Sequence, residues 1–144
     1  MKKILAVASD GGHWIQLNRL APIFNKNNTT FVSTFPKNGD ENHYCVTDAN
    51  LDEKFKLIIQ AFQILFIVIR IRPDVVISTG ASPGFFAILF AKIFNKKTVW
   101  LDSIANSEEL SLSGQKIGGI VGLWLTQWPE LADKNGPKYK GKVL

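Results

Sequence analysis

A chain of 144 residues has room for about one domain, and its 46% hydrophobic and 20% charged residues exclude an intrinsically disordered protein. The single cysteine, Cys45, excludes a disulfide scaffold. The net charge of +5 is a moderate basic excess without any nucleic-acid motif, so we predict no nucleic-acid partner.

The apolar segments are too short for an export signal or a membrane-spanning helix. The run at residues 4–8 ends at Asp10, which is shorter than a signal peptide needs. The longest apolar stretch, residues 57–69, would form a helix of roughly 20 Å, against about 30 Å for the hydrocarbon core of a bilayer. We therefore predict a cytoplasmic protein that is soluble or peripheral to the membrane.

Strand and helix signals alternate along the chain. The predicted strands are residues 3–9, 29–34, 74–78, 97–101 and 123–127. The predicted helices are residues 14–24, 51–71, 82–94 and 111–121, with a loop at 35–50 and a lysine-rich tail at 134–144. This alternation predicts one α/β domain over residues 1–144, with an open, mostly parallel sheet and helices on both faces.

Three polar loops follow predicted strands, and such sheets bind ligands beyond the carboxyl ends of their strands. The loops are residues 10–13, 79–84 and 102–109. We therefore expect them to converge on one edge of the sheet and to form the functional site there.

The first loop contains Gly11 and Gly12, which let the backbone approach a ligand closely. The pattern is neither a dinucleotide fingerprint nor a P-loop, so no nucleotide cofactor is predicted, and we expect no metal ligand either. His13 follows at the start of a helix, where an imidazole can take a proton from a sugar hydroxyl. The alternative is that His13 caps its own helix.

The second loop, residues 80–84, matches the G-x-S-x-G pattern of a hydrolase nucleophile elbow. Pro83 has no N–H to contribute to an oxyanion hole, and both histidines precede Ser82, so a serine hydrolase is disfavoured. We predict instead that Ser82 caps a helix that begins with Pro83. The free N–H groups from Gly84 onward would then attract a diphosphate, although an ordinary capped helix has the same sequence.

Asp102 directly follows the predicted strand at residues 97–101. A carboxylate there is well placed to orient His13 or a substrate hydroxyl, and the alternative is a cap for the next turn. We interpret Asn106, Glu108 and Glu109 as a solvated loop.

Two apolar helical segments end near cations. Residues 57–69 precede Arg70 and Arg72, and residues 85–94 precede Lys96 and Lys97. An apolar helix surface flanked by cations is typical of helices that lie on an anionic membrane surface. For each helix taken alone, burial in the core is the favoured interpretation.

Several sequence blocks resemble the asparagine-linked glycosylation protein 14 family and its bacterial capsular and exopolysaccharide relatives, over essentially the whole chain. The blocks are Gly11-Gly12-His13, Ser78-Thr79-Gly80 with Pro83-Gly84, Trp100-Leu101-Asp102-Ser103, Leu110-Ser111-Leu112-Ser113-Gly114, Gln127-Trp128-Pro129 and the tail from Pro137. The Leu-Ser-Leu-Ser-Gly and Gln-Trp-Pro blocks are the most specific.

The resemblance implies a Rossmann-like domain equivalent to the N-terminal, acceptor-side half of a GT-B glycosyltransferase. The donor-side half would be a separate chain that binds a UDP-sugar, and the acceptor a polyprenyl-diphosphate-linked sugar at the cytoplasmic membrane face. By this resemblance His13 is the candidate base, Asp102 orients it or binds the acceptor, and the C-terminal segment docks the partner. The residues implied in binding the diphosphate or acceptor sugar are Gly11, Gly12, Thr79, Gly80, Ser82 and Gly84.

Two departures from the family pattern bear on these expectations. Asp102 stands where many relatives have glutamate, and we expect this protein to lack the N-terminal membrane helix of eukaryotic members, as the bacterial relatives do. The leading hypothesis is a transferase subunit with little activity alone. The alternative is a non-catalytic module that recruits a partner transferase to the membrane and stimulates it.

Overall fold

The computed structural model describes residues 1–36 and 42–143. Its strands are β1 (Lys3–Ala8), β2 (Asn28–Ser33), β3 (His43–Cys45), β4 (Val75–Gly80), β5 (Lys97–Leu101), β6 (Leu123–Thr126) and β7 (Lys138–Tyr139). Its α-helices are α1 (Gly12–Asn18), α2 (Ala21–Asn25), α3 (Lys54–Ile71), α4 (Ala81–Ile93) and α5 (Leu112–Ile117), and a 3-10 turn covers Pro129–Leu131.

The strands form one parallel sheet in the order β3-β2-β1-β4-β5-β6-β7. The sheet grows to one side from β1 to β3 and to the other side from β4 to β7. The order of strands therefore reverses between β1 and β4, which leaves a crevice at their carboxyl ends. The predicted fold class, an open parallel Rossmann-like sheet, is confirmed.

Each face of the sheet carries its own hydrophobic core. Along β1, Ile4 and Ala6 pack with Leu17 of α1 and Phe24 of α2 on one face. The alternate residues of β1, together with Ile64 of α3, build the core on the other face, which α4 and α5 also cover. Helices on both faces follow directly from the period of two along a strand that is buried on both sides.

The structure differs from the prediction in the first helix and in the first long loop. The helix predicted at residues 14–24 is two short helices, and Pro22 stands in the first turn of α2 because proline is tolerated there. The predicted loop at 35–50 contains β3, which extends the sheet beside β2. Residues 37–41 of that loop lie outside the described part of the chain.

The predicted cap of α4 is wrong by two residues. The helix begins at Ala81 with Gly80 as its N-cap, and the φ of Gly80 is 145°. Ser82 therefore lies inside the first turn, where its hydroxyl donates a hydrogen bond to the backbone oxygen of Ala49 (3.2 Å). Helix α4 lacks a side-chain cap.

Helix α3 carries two inward-facing glutamines beside its buried core residues, and it leaves several large apolar side chains exposed. Gln60 is fully buried, and its amide donates to the backbone oxygen of Thr47 (2.8 Å). The side-chain oxygen of Gln63 accepts from the Thr47 N–H (2.7 Å). The opposite side exposes an apolar outer face, made of Phe55, Ile58, Ile59, Phe62, Phe66 and Ile69. Burial in the core, the favoured interpretation of residues 57–69, is thus correct for one side of α3 only. Of the helices in the described ranges, none has both the length and the hydropathy to cross a bilayer.

Asp74 joins the amino ends of β1 and β4. Its carboxylate accepts a hydrogen bond from the Lys3 N–H (2.8 Å), which holds the pKa of Asp74 below its usual range, and nearby lysines add to the effect. Because the folded pKa is lowered, the charged group contributes stability at neutral pH that is lost as the pH falls through that pKa.

We expect Asp74→Asn to lower the free energy of unfolding at pH 7 and to make stability less sensitive to acid below about pH 4. Urea titrations at pH 7, 5, 4 and 3 measure both effects. Asp52→Asn is the control, since the Asp52 carboxylate is exposed and accepts no hydrogen bond within the described residues. Parallel curves for the wild type and Asp74→Asn would contradict the prediction.

Candidate functional site

His13 and Thr79 are joined by two hydrogen bonds across the crevice between β1 and β4. The Nδ1 atom of His13 lies 3.1 Å from the backbone oxygen of Thr79, and the Thr79 hydroxyl donates to the backbone oxygen of His13 (2.6 Å). A carbonyl oxygen only accepts, so Nδ1 carries the proton of the neutral ring, and Nε2 keeps its lone pair. The alternative that His13 caps its own helix is wrong, because α1 has Gly11 as N-cap and no side-chain cap bond.

Gly80 provides the surface on which the imidazole of His13 rests. A Cβ at Gly80 would clash with Nδ1 and Cε1 of His13. Its φ of 145° is also a conformation that other residues rarely adopt. A register shift in the β1–β4 pairing between Val7 and Ala8 sets Gly80 opposite Ala8. Glycine is therefore needed here both for the backbone and for the close approach of His13.

The other predicted binding residues lie in different environments. Gly11 (φ 85°) and Gly12 are exposed, with open space where a Cβ would stand. Thr79 is buried and its hydroxyl is used by His13. Gly84 is buried in α4, where a Cβ would clash with Ser78, so its place is explained by packing of α4 on the sheet.

A cavity of about 510 Å³ lies beside His13. Residues from all three predicted loops line it, including His13, Ala81, Asn106 and Glu109. The predicted convergence of the three loops is thus present in the fold, and it follows from the shared direction of β1, β4 and β5. Glu108 and Glu109 are exposed, as the interpretation of a solvated loop predicts, but Glu109 and the half-buried Asn106 also line the same cavity as His13.

Asp102 is 1% exposed and is hydrogen bonded to two residues that line this cavity. Its Oδ1 accepts from Trp100 Nε1 (3.1 Å) and from the Ser111 hydroxyl (2.6 Å). Its Oδ2 accepts from the Ser111 N–H (3.0 Å) and from Asn106 Nδ2 (3.4 Å). Among the described residues, the Asp102 carboxylate forms no hydrogen bond with His13. The carboxylate instead fixes the loop that forms one wall of the cavity.

A second buried network, absent from the predicted site, ties that loop to the rest of the fold. Gln16 of α1 donates to the Ser103 hydroxyl (3.1 Å) and accepts from the N–H of Ile104 (3.2 Å). The Gln127 amide donates to Gln16 Oε1 (2.6 Å) and to the backbone oxygen of Asp102 (3.0 Å). Its oxygen accepts from the Val143 N–H (2.7 Å). The C-terminal tail is therefore hydrogen bonded, through Val143, to the network that holds the loop after β5.

The sequence did carry a signal for these supports. Ser111 and Gly114 of the Leu-Ser-Leu-Ser-Gly block contact Asp102, and Gln127 and Trp128 of the Gln-Trp-Pro block hold the 103–104 turn. The two blocks that are most specific for the family resemblance are thus the ones that shape the cavity wall. Within the described ranges, no group of three or more His, Cys, Asp or Glu side chains is arranged to hold a metal ion.

Sequence comparison finds relatives that act in oligosaccharide synthesis. A family model described as "Oligosaccharide biosynthesis protein Alg14 like" matches residues 42–143. The UDP-N-acetylglucosamine transferase subunit ALG14 of Mus musculus is 35% identical over 88 residues, which are 54% of this chain and 39% of that protein. The corresponding subunit of Schizosaccharomyces pombe is 39% identical over 67 residues, 43% of this chain and 32% of that protein. The matched segments therefore span well under half of these curated relatives.

Solved structures with the same fold share little sequence with this chain. MurG of Acinetobacter baumannii superposes with a TM-score of 0.79 at 12% identity, over 97% of this chain and 46% of MurG. A UDP-N-acetylglucosamine 2-epimerase from Rickettsia bellii gives a TM-score of 0.70 at 13% identity, over 88% of this chain and 39% of the epimerase. The fold is thus that of one Rossmann-like half of the GT-B architecture.

We expect Gly80→Ala to destabilise the protein by about 1–3 kcal/mol, because it combines a strained backbone with a clash against His13. The measurement is the free energy of unfolding in urea, together with the NMR signals of the His13 ring. Gly119→Ala is the matched control, since Gly119 is exposed and a Cβ there meets no atom within 4 Å. Equal stability of the two variants would show that Gly80 is not required for this packing.

Proposed function

Because the chain belongs to the Alg14 family of oligosaccharide biosynthesis proteins, we propose that it is the acceptor-side subunit of a two-chain GT-B glycosyltransferase. It would bind a polyprenyl-diphosphate-linked sugar and recruit a separate donor-binding subunit, which holds most of the UDP-sugar. The reaction would extend a lipid-linked repeat unit of a capsular polysaccharide or exopolysaccharide at the cytoplasmic membrane face. UDP-N-acetylglucosamine, which appears in the names of the relatives, is the first donor to assay.

The observation that carries this proposal is the His13–Thr79 pair beside the large cavity. Since Nδ1 is engaged with the Thr79 oxygen, Nε2 is the atom that accepts a proton from the acceptor hydroxyl. The hydroxyl oxygen then forms a bond to C1 of the donor sugar as the bond from C1 to the UDP oxygen breaks. The products are the extended acceptor, UDP and a proton held on His13.

The walls of the cavity offer groups that bind a sugar. Asn106 supplies an amide and Glu109 a carboxylate, and both line the cavity with His13. We assign Asp102 a positioning role, because its carboxylate holds Asn106 and Ser111 rather than facing the cavity. Gly11 and Gly12, exposed at the rim, leave space for the acceptor's polar head to approach the backbone.

The docking of the donor-binding subunit is assigned to the C-terminal segment. β7 is the edge strand of the sheet beyond β6, and both of its residues, Lys138 and Tyr139, are exposed. An exposed parallel edge presents unpaired backbone groups to a partner. Lys142 lies over the Trp128 ring (4.2 Å), so this segment is ordered next to the loop that supports the cavity.

The second candidate function is a non-catalytic recruiting module. The observation in its favour is that both bonds of His13 to Thr79 also serve to hold α1 against β4. In that case His13 is structural, and the partner supplies all of the chemistry.

We expect the chain and its partner together, but neither alone, to transfer sugar from the UDP-sugar to a lipid-linked acceptor. In this pair, His13→Ala should lower kcat by about 10²–10⁴-fold without changing partner affinity, because it removes the base. Added imidazole should restore part of the rate. Transfer by the partner alone at the rate of the pair would contradict the proposal, and unchanged kcat in His13→Ala would favour the recruiting module.

We assign contact with the membrane to the apolar outer face of α3. It runs from Phe55 to Ile69 along an 18-residue helix, so it offers an apolar strip about 21 Å long. Lys54 at one end of α3 and Arg70 and Arg72 at the other are exposed cations. An apolar strip with cations at its ends fits a helix that lies in the headgroup region of an anionic membrane.

We expect the double variant Phe62→Ser, Phe66→Ser to weaken binding to anionic vesicles by at least about tenfold, since it removes two large exposed apolar groups. Cosedimentation with and without anionic lipid, at low and high salt, measures this. The matched control is Ile15→Ser, Ile23→Ser, which removes exposed apolar residues from α1 and α2 on the other face of the sheet. Failure of the wild type to bind vesicles, alone and with the partner, would refute the assignment.

A further inference from the structure

Gln127 connects the C-terminal segment to the turn that follows β5. Its side chain is fully buried, and its amide oxygen and both amide N–H groups are used. The oxygen accepts from the Val143 N–H (2.7 Å), while the NH₂ group donates to the backbone oxygen of Asp102 (3.0 Å) and to Gln16 Oε1 (2.6 Å). An N–H only donates and a carbonyl oxygen only accepts, so the amide fits its three partners in one orientation. A displacement of Val143 therefore acts on Asp102 through a single planar group.

Trp128 makes a second connection between the same two segments. Its indole N–H donates to the backbone oxygen of Ile104 (2.7 Å), and Nζ of Lys142 lies 4.2 Å from the centroid of the Trp128 ring. A cation over the face of an indole is attracted by the π electrons of the ring. Two neighbouring residues of the C-terminal segment, Lys142 and Val143, thus contact two neighbouring residues after β6. Both contacts lead to the turn at residues 102–104.

This turn holds part of the wall of the cavity beside His13. Asn106 and Ser111 line that cavity. The Asp102 carboxylate accepts hydrogen bonds from the Ser111 N–H (3.0 Å) and hydroxyl (2.6 Å) and from Asn106 Nδ2 (3.4 Å). A displacement of the Asp102 backbone therefore changes the positions of polar groups that face the same cavity as His13.

Strand β7 lies close to these contacts along the chain. Only Lys140 and Gly141 separate its last residue from Lys142, and the φ of Gly141 is 123°, a conformation that favours glycine. β7 is also the exposed edge strand to which we assign docking of the donor-binding subunit. Over so short a connection, a partner that pairs with β7 restricts the positions of Lys142 and Val143 as well.

We propose that Gln127 and Trp128 are positioning residues that couple docking of the donor-binding subunit to the shape of the cavity beside His13. The inference rests on the proposed function and specifies how the partner regulates the site. A partner bound at β7 holds the C-terminal segment in place, and this segment holds the turn at residues 102–104 through Gln127 and Trp128. Without the partner the cavity wall opens more often, so the acceptor binds more weakly.

The first test follows hydrogen exchange of the Trp100 indole N–H and the Ser111 N–H by NMR in the full chain alone, because both donate to the Asp102 carboxylate. Val143→Pro removes the N–H that donates to Gln127, and Val143→Ala, the matched control, keeps it. Exchange should be about three- to tenfold faster in Val143→Pro than in the wild type, as the loss of one hydrogen bond implies, and unchanged in Val143→Ala. Equal rates in the two variants would overturn the proposal.

A second variant tests the other connection without changing the backbone. Lys142 is exposed, so Lys142→Met is expected to fold, and it should speed exchange of the Trp128 indole N–H by about two- to fivefold. Lys140→Met, which removes an exposed cation of the same segment, is the control. Exchange of the N–H of Val76, a buried residue of the central strand β4, should stay unchanged in every variant. A parallel increase at Val76 would show a general loss of stability and would overturn the coupling.

Addition of the donor-binding subunit distinguishes this inference from the function on which it rests. At saturating partner, exchange of the Ser111 N–H should slow in the wild type but not in Val143→Pro. The KM for the lipid-linked acceptor should be about three- to tenfold higher in Val143→Pro than in Val143→Ala, with kcat and the KM for the UDP-sugar retained. An active pair in which both variants have the same acceptor KM overturns the coupling and leaves the transferase function standing. Partner-dependent exchange as described, in a pair that transfers no sugar, leaves the coupling standing and overturns the function.

Discussion

The buried carboxylate of Asp102 is the constraint on which the candidate site depends. A carboxylate that is 1% exposed must be compensated by hydrogen bonds, since an unpaired buried charge is very costly. Trp100, Ser111 and Asn106 supply them, and two of these three residues lie in the segment that lines the cavity. The need to satisfy one buried group thus determines the path of the loop after β5. The close contact of Gly114 with this carboxylate shows why α5 has no side chain there.

The position of the site follows from the parallel sheet. Because the order of strands reverses between β1 and β4, the backbones that follow them separate and leave a crevice. His13 and Thr79 meet across it, and the glycine at residue 80 lets the imidazole lie against the backbone. The catalytic group we propose is therefore held by the central strands, while the substrate-facing wall is held by Asp102 and Gln127. Rigid support of both sides is what an oriented acceptor hydroxyl requires.

Helix α3 shows that one element can serve the fold and a surface at the same time. Its two glutamines are used to bind the backbone of Thr47, which anchors the segment between β3 and α3. Its phenylalanines are left on the outside, where they form a continuous apolar face.

The sequence by itself determined the α/β alternation, most strand positions and the three loops that meet at one edge, because these depend on local periodicity and on the direction of parallel strands. It did not determine that residues 14–24 form two helices, that Gly80 rather than Ser82 caps α4, or that Asn106 and Glu109 line the cavity. Nor did it show which side of α3 faces inward. Periodicity tells which side chains share a face, but the buried Gln60 and the half-buried Gln63 can turn inward only because the fold brings the backbone of Thr47 to them. Partners of this kind are distant in the chain or lie outside the helix, and only the tertiary structure decides them.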